Sequence, residues 1–418
     1  MNFIKRQLLS DIFEHLDKPE ITLIVGARQA GKTTLLSRVK DMLHQQGQNT
    51  LFLNLDFETD YFYLESQEKL LQKIRLEFGQ DGGYVFLDEI QRKENAGLFL
   101  KGLYDMGLPY KFIVSGSGSM ELKEKIHESL AGRKRVFELA TISLWEFLQF
   151  KTAYTYEDRL LDFCSLEGEK ARLMLEEYLS YGGYPRIVVE EQGRERLLLM
   201  NEIYESYLKK DIVYLLKLDR PDVFTRFIRL CAHSCGSIIN YNTLANDAGL
   251  SVPTVKKYLW YAEQTFVIKT VTPFFKNKRK ELKKSPTLYF TDLGLRNFAL
   301  RQMGQDISAI HAGRLFQNLI YLILGEITRK SMHAIHYWRT SDLAEVDFVL
   351  VGRHKPIPME VKYSHLRAPK MTRSLRSFID SYTPDVAYVI NLSYKHQIKI
   401  NETVVRFIPY YELYGEQL

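Results

Sequence analysis

The sequence predicts an α/β protein in which a parallel sheet, covered by helices on both faces, is followed by helical segments and by a second, mixed domain. From residue 21 to residue 141, short apolar runs alternate with amphipathic helical stretches, a pattern typical of parallel strands buried on both faces. Residues 142–290 are mostly helical in pattern, and the remaining chain follows the order αβββαβ. With 418 residues, the chain is long enough for two or three separate cores.

The first predicted segment, residues 1–141, contains the parallel sheet. Its five predicted strands are Ile21–Val25, Thr50–Leu55, Tyr84–Leu87, Lys111–Val114 and Arg135–Leu139. Residues 142–218 are predicted as a helical lid, interrupted at Tyr181–Pro185 because glycine and proline break a helix there.

The second half of the chain divides at about residue 290. Residues 219–290 contain a helix, a turn at Ala248–Ser251 and a second helix that Ser251 caps, which indicates a helix-turn-helix or winged-helix domain. Residues 291–418 carry the αβββαβ order and form the last predicted domain.

Composition argues for a cytoplasmic protein without membrane contact. No apolar run reaches the ~18 residues that a membrane-spanning helix needs, and the N-terminus lacks a signal-peptide pattern. Cys164, Cys231 and Cys235 have neither a disulfide framework nor zinc-site spacing, so we expect reduced cysteines in the core.

Positive charge is concentrated near the C-terminus. Residues 276–418 contain 22 lysines and arginines and 13 aspartates and glutamates, a net charge of +9 (22 − 13), whereas the whole chain is +6. Such an excess suits either a polyanionic partner or a solvated basic surface.

A glycine-rich loop follows the first predicted strand and opens a helix. Its spacing, G-x-x-x-x-G-K-T, is that of a phosphate-binding loop, or P-loop, whose backbone N–H groups surround the phosphates at the positive end of a helix. Lys32 would contact the β- and γ-phosphates of ATP, and the Thr33 hydroxyl would bind Mg²⁺. The predicted nucleotide-binding residues are Gly26, Ala27, Arg28, Gln29, Ala30, Gly31, Lys32, Thr33 and Thr34.

Two adjacent carboxylates end the third predicted strand. Asp88 would hold Mg²⁺, directly or through water, and Glu89 would orient and polarise the water that attacks the γ-phosphate. We therefore expect ATP hydrolysis in addition to ATP binding.

Two further candidates lie near the last two strands of this sheet. Ser115 or Ser117 could sense the γ-phosphate, although the loop could equally be a plain capping loop. Arg133 is a candidate arginine finger that would reach the nucleotide of a neighbouring subunit, and the alternative is a solvated surface arginine. An arginine acting in this way would require a homo-oligomer.

Several motifs together resemble a known family. The combination resembles the bacterial and archaeal AAA-type P-loop ATPases that carry a winged helix and a C-terminal domain of unknown function (DUF4143-like), similar to PD-(D/E)xK nucleases and Holliday-junction resolvases. The resemblance covers nearly the whole chain. It implies an AAA-like sheet with the catalytic-glutamate strand beside the P-loop strand, a winged helix and a restriction-endonuclease-like C-terminal domain. The motifs are Gly26–Thr34, Phe86–Glu89, Leu130–Arg133, Tyr181–Pro185, and Glu345–Phe348 with Glu360–Lys362.

The C-terminal residues have the spacing of a PD-(D/E)xK core. Asp347 and Glu360 would be Mg²⁺ ligands, and Lys362 would position or activate water. Glu360 and Lys362 lie two residues apart on a predicted strand, so their side chains should share one face of the sheet.

One departure from the family pattern bears on this site. The resemblance implies a glutamate on the preceding helix, where this sequence has Gln317, and a neutral amide is a weaker Mg²⁺ ligand. Glu326 lies nine residues further on, about 180° around the helix, and is a poor substitute. Three alternatives stay open: an active nuclease, a nuclease-derived DNA-binding fold, or a structural or protein-binding module.

The sequence thus leads to two hypotheses of function. In the first, Mg²⁺-dependent ATP hydrolysis acts on duplex or branched DNA, with possible contacts from Lys256, Lys257, the basic stretch 276–284, and Tyr258 or Asn242. In the second, ATP regulates assembly, and the C-terminal half binds protein partners.

Overall fold

The computed structural model of the chain describes residues 3–117, 130–206, 221–275, 285–306, 309–331 and 333–416. Among these residues, no helix is both long and apolar enough to cross a bilayer. The first sheet is five-stranded and parallel throughout, in the order β2-β3-β4-β1-β5. Its strands are β1 (Ile21–Gly26), β2 (Thr50–Asn54), β3 (Gly83–Asp88), β4 (Tyr110–Ser117) and β5 (Lys134–Leu139).

The predicted parallel sheet is confirmed, but one expectation about its order is wrong. The strand that carries Asp88 was expected beside the P-loop strand, whereas β4 lies between β3 and β1 and pairs with both. The carboxylate therefore reaches the P-loop across the end of β4, where Ser115 lies. Strand order depends on long-range pairing, which the local apolar pattern does not encode.

Helices cover both faces of this sheet. Helices α1 (Leu8–His15) and α2 (Lys32–Gln45) pack on one face, against Ile24 and Phe86 among others. After the short α3 (Glu58–Tyr61), helices α4 (Gln67–Phe78) and α5 (Ala96–Asp105) pack on the other. Alternate residues of each strand enter the two cores, which explains the continuous apolar runs of the sequence.

A group of short helices follows the sheet. Gly183 joins this group to the rest of the molecule, since its N–H donates to Asp292 Oδ2 (2.8 Å) and its carbonyl accepts from the N–H of Ile142 (2.7 Å). A Cβ atom at Gly183 would lie 2.1 Å from the carbonyl oxygen of Ile142, so only glycine fits there. The helices are α6 (Leu144–Lys151), α7 (Leu160–Leu166), α8 (Gly168–Tyr181), α9 (Pro185–Val189) and α10 (Gly193–Ser206).

Three helices and a two-stranded antiparallel sheet form the next unit. Ser251 caps the third helix by accepting a hydrogen bond from the N–H of Thr254 (3.3 Å), as its position in the turn predicts. The basic stretch 276–284 lies outside the described residues. The elements are α11 (Pro221–His233), α12 (Tyr241–Ala248), α13 (Val252–Gln264), β6 (Ile268–Val271) and β7 (Thr287–Phe290).

After α14 (Leu293–Ala299), the C-terminal part forms a six-stranded mixed sheet in the order β12-β13-β11-β10-β9-β8, between α15 (Ala309–Ile327) and α16 (Arg373–Tyr382). The order αβββαβ is observed, and two further strands, β12 and β13, follow it. The strands are β8 (Ala334–Arg339), β9 (Glu345–Val351), β10 (Ile357–Val361), β11 (Val386–Asn391), β12 (His396–Ile400) and β13 (Thr403–Pro409).

Candidate functional site

The P-loop connects the end of β1 to the start of α2. Gly31 has a φ of 96° and Gln29 a φ of 56°, so the chain turns through the left-handed region twice within the loop. An ideal Cβ on Gly26 would lie 2.2 Å from the carbonyl oxygen of Leu139 at the end of β5. The glycines at both ends of the motif are therefore required by the backbone of this loop.

Lys32, the first residue of α2, points back over the loop. Its Nζ donates to the carbonyl oxygens of Gly26 (3.1 Å) and Ala27 (2.9 Å), and the side chain is buried. The ammonium thus lies over the loop, at the end of a helix whose N–H groups attract anions.

Three polar side chains meet at the carboxyl ends of β3 and β4, beside the P-loop. The Thr33 hydroxyl donates to Asp88 Oδ2 at 2.6 Å, and the Ser115 hydroxyl donates to Asp88 Oδ1. Asp88 is completely buried at the end of β3. Hydroxyl and carboxylate oxygens are the ligands that Mg²⁺ prefers, so the donor set fits this ion.

Glu89 follows immediately and has a left-handed backbone, with a φ of 56°. Such a conformation is uncommon outside glycine and occurs often at functional sites. The Glu89 carboxylate accepts a hydrogen bond from the side-chain amide of Gln91. A carboxylate at this position, next to a Mg²⁺ site, can act as a general base for water.

Two arginines that the sequence pattern did not single out also contact the loop. Arg6 donates to the carbonyl oxygen of Ala30 (3.0 Å), and Arg186 on α9 donates to the side-chain oxygen of Gln29 (3.3 Å). Arg186 also pairs with Glu202 (3.0 Å). Neither belongs to a local spacing pattern, and only the folded chain brings them to the loop. The motif Tyr181–Pro185 ends directly before Arg186 and was the one feature of the sequence that could have drawn attention to this arginine.

The remaining candidates near this sheet have separate positions. Arg133 stands at the start of β5, where its carbonyl accepts from the N–H of Ile21, and its guanidinium pairs with Asp105 (2.6 Å). Because β1 and β5 are parallel, Arg133 lies about a strand length, roughly 20 Å, from the P-loop of its own chain. The side chain of Ser117 lies outside the described residues, and Ser115 takes part in the cluster.

The predicted C-terminal residues are in contact with one another. Asp347 Oδ1 accepts from the amide of Gln317 (3.0 Å), and Asp347 Oδ2 accepts from the N–H of Val361 (2.8 Å). Burial raises the pKa of Asp347 to about 7, even though part of its surface stays accessible. Gln317 therefore occupies the expected third position, but it presents a hydrogen-bond donor to Asp347.

Glu360 is held in a similar way. Its Oε2 accepts from the backbone N–H (3.1 Å) and the hydroxyl (2.9 Å) of Thr372. Its Oε1 forms an ion pair with Lys362 Nζ at 2.7 Å, but the angles of this contact are not those of a hydrogen bond. Within the described ranges, no group of three or more histidine, cysteine, aspartate or glutamate residues is placed to hold a metal ion. Glu326 points elsewhere and accepts from the Tyr414 hydroxyl (3.0 Å).

Two interpretations of single residues can now be judged. Tyr258 was a candidate contact to a DNA backbone, but it is buried against Phe224 and Phe227, so that prediction is wrong. The period of α13 turns Tyr258 inward with Val255 and Leu259, while Lys256 and Lys257 stay exposed. All three cysteines are free and buried, as expected.

Comparisons with known proteins find families and relatives that are similar to parts of the chain. Three family models match: the AAA domain at residues 18–148, Domain of unknown function (DUF8612) at residues 172–306 and Domain of unknown function (DUF4143) at residues 312–413. An uncharacterized protein of Haemophilus influenzae is 24% identical over 388 residues, covering 90% of this chain and 91% of that protein. An uncharacterized protein of Methanocaldococcus jannaschii is 24% identical over 363 residues, covering 83% and 76% respectively.

Solved structures of similar chains include AMPPCP-bound DnaA from Aquifex aeolicus, at 16% identity and a TM-score of 0.28, covering 72% of this chain and 97% of that one. Cdc6p from Pyrobaculum aerophilum has 10% identity and a TM-score of 0.31, covering 76% and 96%. The P-loop and the parallel sheet lie within residues 18–148, the segment that is similar to the AAA domain, and the two segments that follow are similar to domains of unknown function.

Proposed function

We propose that the protein hydrolyses ATP with Mg²⁺ and couples this reaction to the binding or remodelling of DNA, including branched DNA. The observation that carries the hydrolysis is the contact of Thr33 with Asp88 at the P-loop, with Glu89 directly beside it. In this proposal residues 1–141 are the ATPase core, 142–218 the lid, 219–290 a winged helix and 291–418 a PD-(D/E)xK nuclease-like domain.

The chemistry follows from the positions of the side chains. Bound Mg²⁺ neutralises charge on the β- and γ-phosphates, and Thr33 and Asp88 would hold it. Glu89 accepts a proton from the water whose oxygen attacks the γ-phosphorus. The bond from that phosphorus to the β–γ bridging oxygen breaks, leaving ADP and phosphate. Lys32 would exchange its two backbone carbonyl partners for phosphate oxygens.

Cations from outside the loop would complete the site. Arg186 donates a hydrogen bond to Gln29 in the P-loop of the same chain, and from there it could reach a bound triphosphate. Arg133, in contrast, is too far from the P-loop of its own chain. We propose that Arg133 acts on the nucleotide of a neighbouring subunit in a homo-oligomer, after leaving Asp105. Such an arginine stabilises the charge of the transition state.

The proposed DNA contacts rest on charge and on an open groove. Lys256 and Arg339 line one groove with Asn242, between the α12–α13 helix pair and the edge of the C-terminal sheet. The net charge of +9 over residues 276–418 favours the same partner. We propose that these residues contact phosphates and that the C-terminal domain binds DNA.

For the C-terminal site, we propose binding of DNA without cleavage. Three of the four carboxylate oxygens of Asp347 and Glu360 accept hydrogen bonds, and the fourth, Glu360 Oε1, is ion-paired with Lys362. Gln317 supplies an amide where a carboxylate would bind metal. Incubation of the full chain with branched DNA and Mg²⁺ or Mn²⁺ tests this. Cleavage that disappears in Asp347→Ala would contradict the proposal.

The DNA part is tested by measuring ATP hydrolysis with and without duplex, single-stranded and branched DNA. We expect at least one of these DNAs to stimulate ATP hydrolysis. In the double variant Lys256→Ala/Lys257→Ala this stimulation should be smaller, and the binding of DNA should depend less on salt concentration. Glu169→Gln, a change at an exposed carboxylate of the lid, is the control. Equal rates with all three DNAs and without DNA would favour the alternative, in which ATP regulates assembly and the C-terminal half binds proteins.

A further inference from the structure

Arg6 occupies an unusual place for a residue of the N-terminal segment. Its side chain is buried and donates to four acceptors on three separate parts of the chain. One is the carbonyl of Ala30 in the P-loop (3.0 Å), and another is the carboxylate of Glu146 in α6 (3.0 Å). The other two are the carbonyls of Ala140 (2.6 Å) and Thr141 (3.3 Å), just after β5. One cation thus joins the P-loop to the first helix after the sheet.

Glu146 belongs to a capping box at the N-terminus of α6. The Ser143 hydroxyl accepts from the N–H of Glu146 (3.2 Å), and Glu146 Oε2 accepts from the N–H of Ser143 (3.1 Å). Glu146 Oε1 also accepts from the N–H of Gln7 (2.7 Å). Movement of Arg6 would therefore act on the start of α6, because the same carboxylate serves both.

The same helix start contacts the C-terminal domain. The carboxylate of Glu326 at the end of α15 accepts a hydrogen bond from the Tyr414 hydroxyl (3.0 Å). The Tyr414 ring lies 4.8 Å from the Trp145 ring in α6. The contacts therefore continue from the P-loop to the last turn of the chain that the structure describes.

From these contacts we infer that Arg6 is a positioning residue that couples the P-loop to the C-terminal domain through Glu146 at the start of α6 and through the Trp145–Tyr414 contact. The inference rests on the proposed binding of ATP. When phosphates enter the loop, Lys32 leaves the carbonyls of Gly26 and Ala27 to reach them, and the loop around Ala30 adjusts with it. Arg6 transmits this adjustment to α6.

The surroundings leave room for such an adjustment. A cavity of about 370 Å³ lies where the sheet, α6 and α15 meet. Densely packed interiors resist small shifts, whereas side chains next to a cavity can change position without displacing their neighbours. Its lining includes Arg6, Ser143, Glu146, Tyr178, Glu326 and Tyr414.

Hydrogen exchange of the full-length protein, with and without AMPPCP and Mg²⁺, tests the coupling. We expect the nucleotide to slow exchange in α15 and in the segment Tyr410–Gly415 by roughly fivefold, the low end of ordinary coupling between sites. Glu326→Ala and Tyr414→Phe, which do not touch the P-loop, should lose most of this response while still binding AMPPCP. Lys5→Ala changes the adjacent, exposed residue and should keep the response.

Arg6→Lys supplies a second readout. A lysine keeps the charge but cannot serve four acceptors, so we expect a higher KM for ATP together with loss of the α15 response. Binding of AMPPCP without any change in α15, or a full response in Glu326→Ala and Tyr414→Phe, would overturn the inference alone. Failure of the wild-type protein to bind AMPPCP would overturn the proposed ATP site as well.

Discussion

Replacement of Glu326 by glutamine should change how the stability of the protein depends on pH. Burial raises the pKa of this carboxyl from 4.5 to about 7, and the nearby Glu146 adds to the effect. The folded protein then binds the proton more tightly than the unfolded chain does. The free energy of unfolding consequently falls as the pH rises from about 4.5 to about 7, and this group causes no further fall above that.

The size of the effect follows from the same two values. A difference of 2.5 units (7 − 4.5) corresponds to at most about 3 kcal/mol at about 1.36 kcal/mol per unit, because part of the Glu326 side chain stays accessible to solvent. Glutamine cannot ionise, so Glu326→Gln should gain up to about 3 kcal/mol relative to wild type between pH 4 and pH 8. Burial also raises the pKa of Asp347 to about 7. This carboxyl is present in both proteins, so its contribution to the free energy of unfolding cancels in the difference between them.

The assay is urea unfolding followed by tryptophan fluorescence at several pH values, because Trp145 packs on Tyr414 next to this carboxyl. Glu14→Gln, which removes a carboxylate whose side chain is 72% exposed, controls for the loss of surface charge. If the stability difference between Glu326→Gln and wild type stays constant from pH 4 to pH 8, the carboxyl is not buried as described.

Three other changes test separate parts of the structure. Gly26→Ala forces a Cβ to within 2.2 Å of the Leu139 carbonyl and should lower ATP hydrolysis on the order of 100-fold, whereas Gly313→Ala, with nothing near its Cβ, should not. Gln317→Glu places a third carboxylate beside Asp347, so millimolar Mn²⁺ should raise the Tm of this variant and leave that of wild type unchanged; equal shifts would contradict the role assigned to the amide. Arg133→Ala subunits should be nearly inactive alone, by about 10³-fold, yet regain activity when mixed with Lys32→Ala subunits, and a mixture without recovery would exclude action between subunits.

The backbone of the P-loop was the most predictable part of the molecule, because the glycine spacing that sets it is local. Gly26, Gly31 and Lys32 lie within seven residues, and their spacing alone specifies a turn and a helix start. The end of an apolar strand likewise marked Asp88. The sequence did not show that β4 separates the strand of Asp88 from the P-loop strand, since strand order depends on contacts between distant residues.

Arginines that contact the P-loop from distant parts of the sequence could not be predicted from local sequence patterns. Arg6 precedes the P-loop by 20 residues or more, and its burial depends on Glu146, which lies 140 residues away. Tyr258 shows the opposite error, in which an aromatic next to two lysines was interpreted as a surface residue although helical periodicity turns it inward. The strands β12 and β13 were missed for different reasons: β12 is largely exposed and carries no apolar run, whereas β13 is mostly buried, so its apolar residues were an available signal.

The central claim is that the Thr33, Asp88 and Glu89 cluster hydrolyses ATP held by the P-loop. Single-turnover hydrolysis of ATP, measured together with ATP binding in the presence of Mg²⁺, tests this most directly. We predict that wild type binds and hydrolyses ATP, that Glu89→Gln binds ATP with similar affinity but hydrolyses it at least 10²-fold more slowly, and that Lys32→Ala fails to bind. Hydrolysis by Glu89→Gln at the wild-type rate would contradict the account.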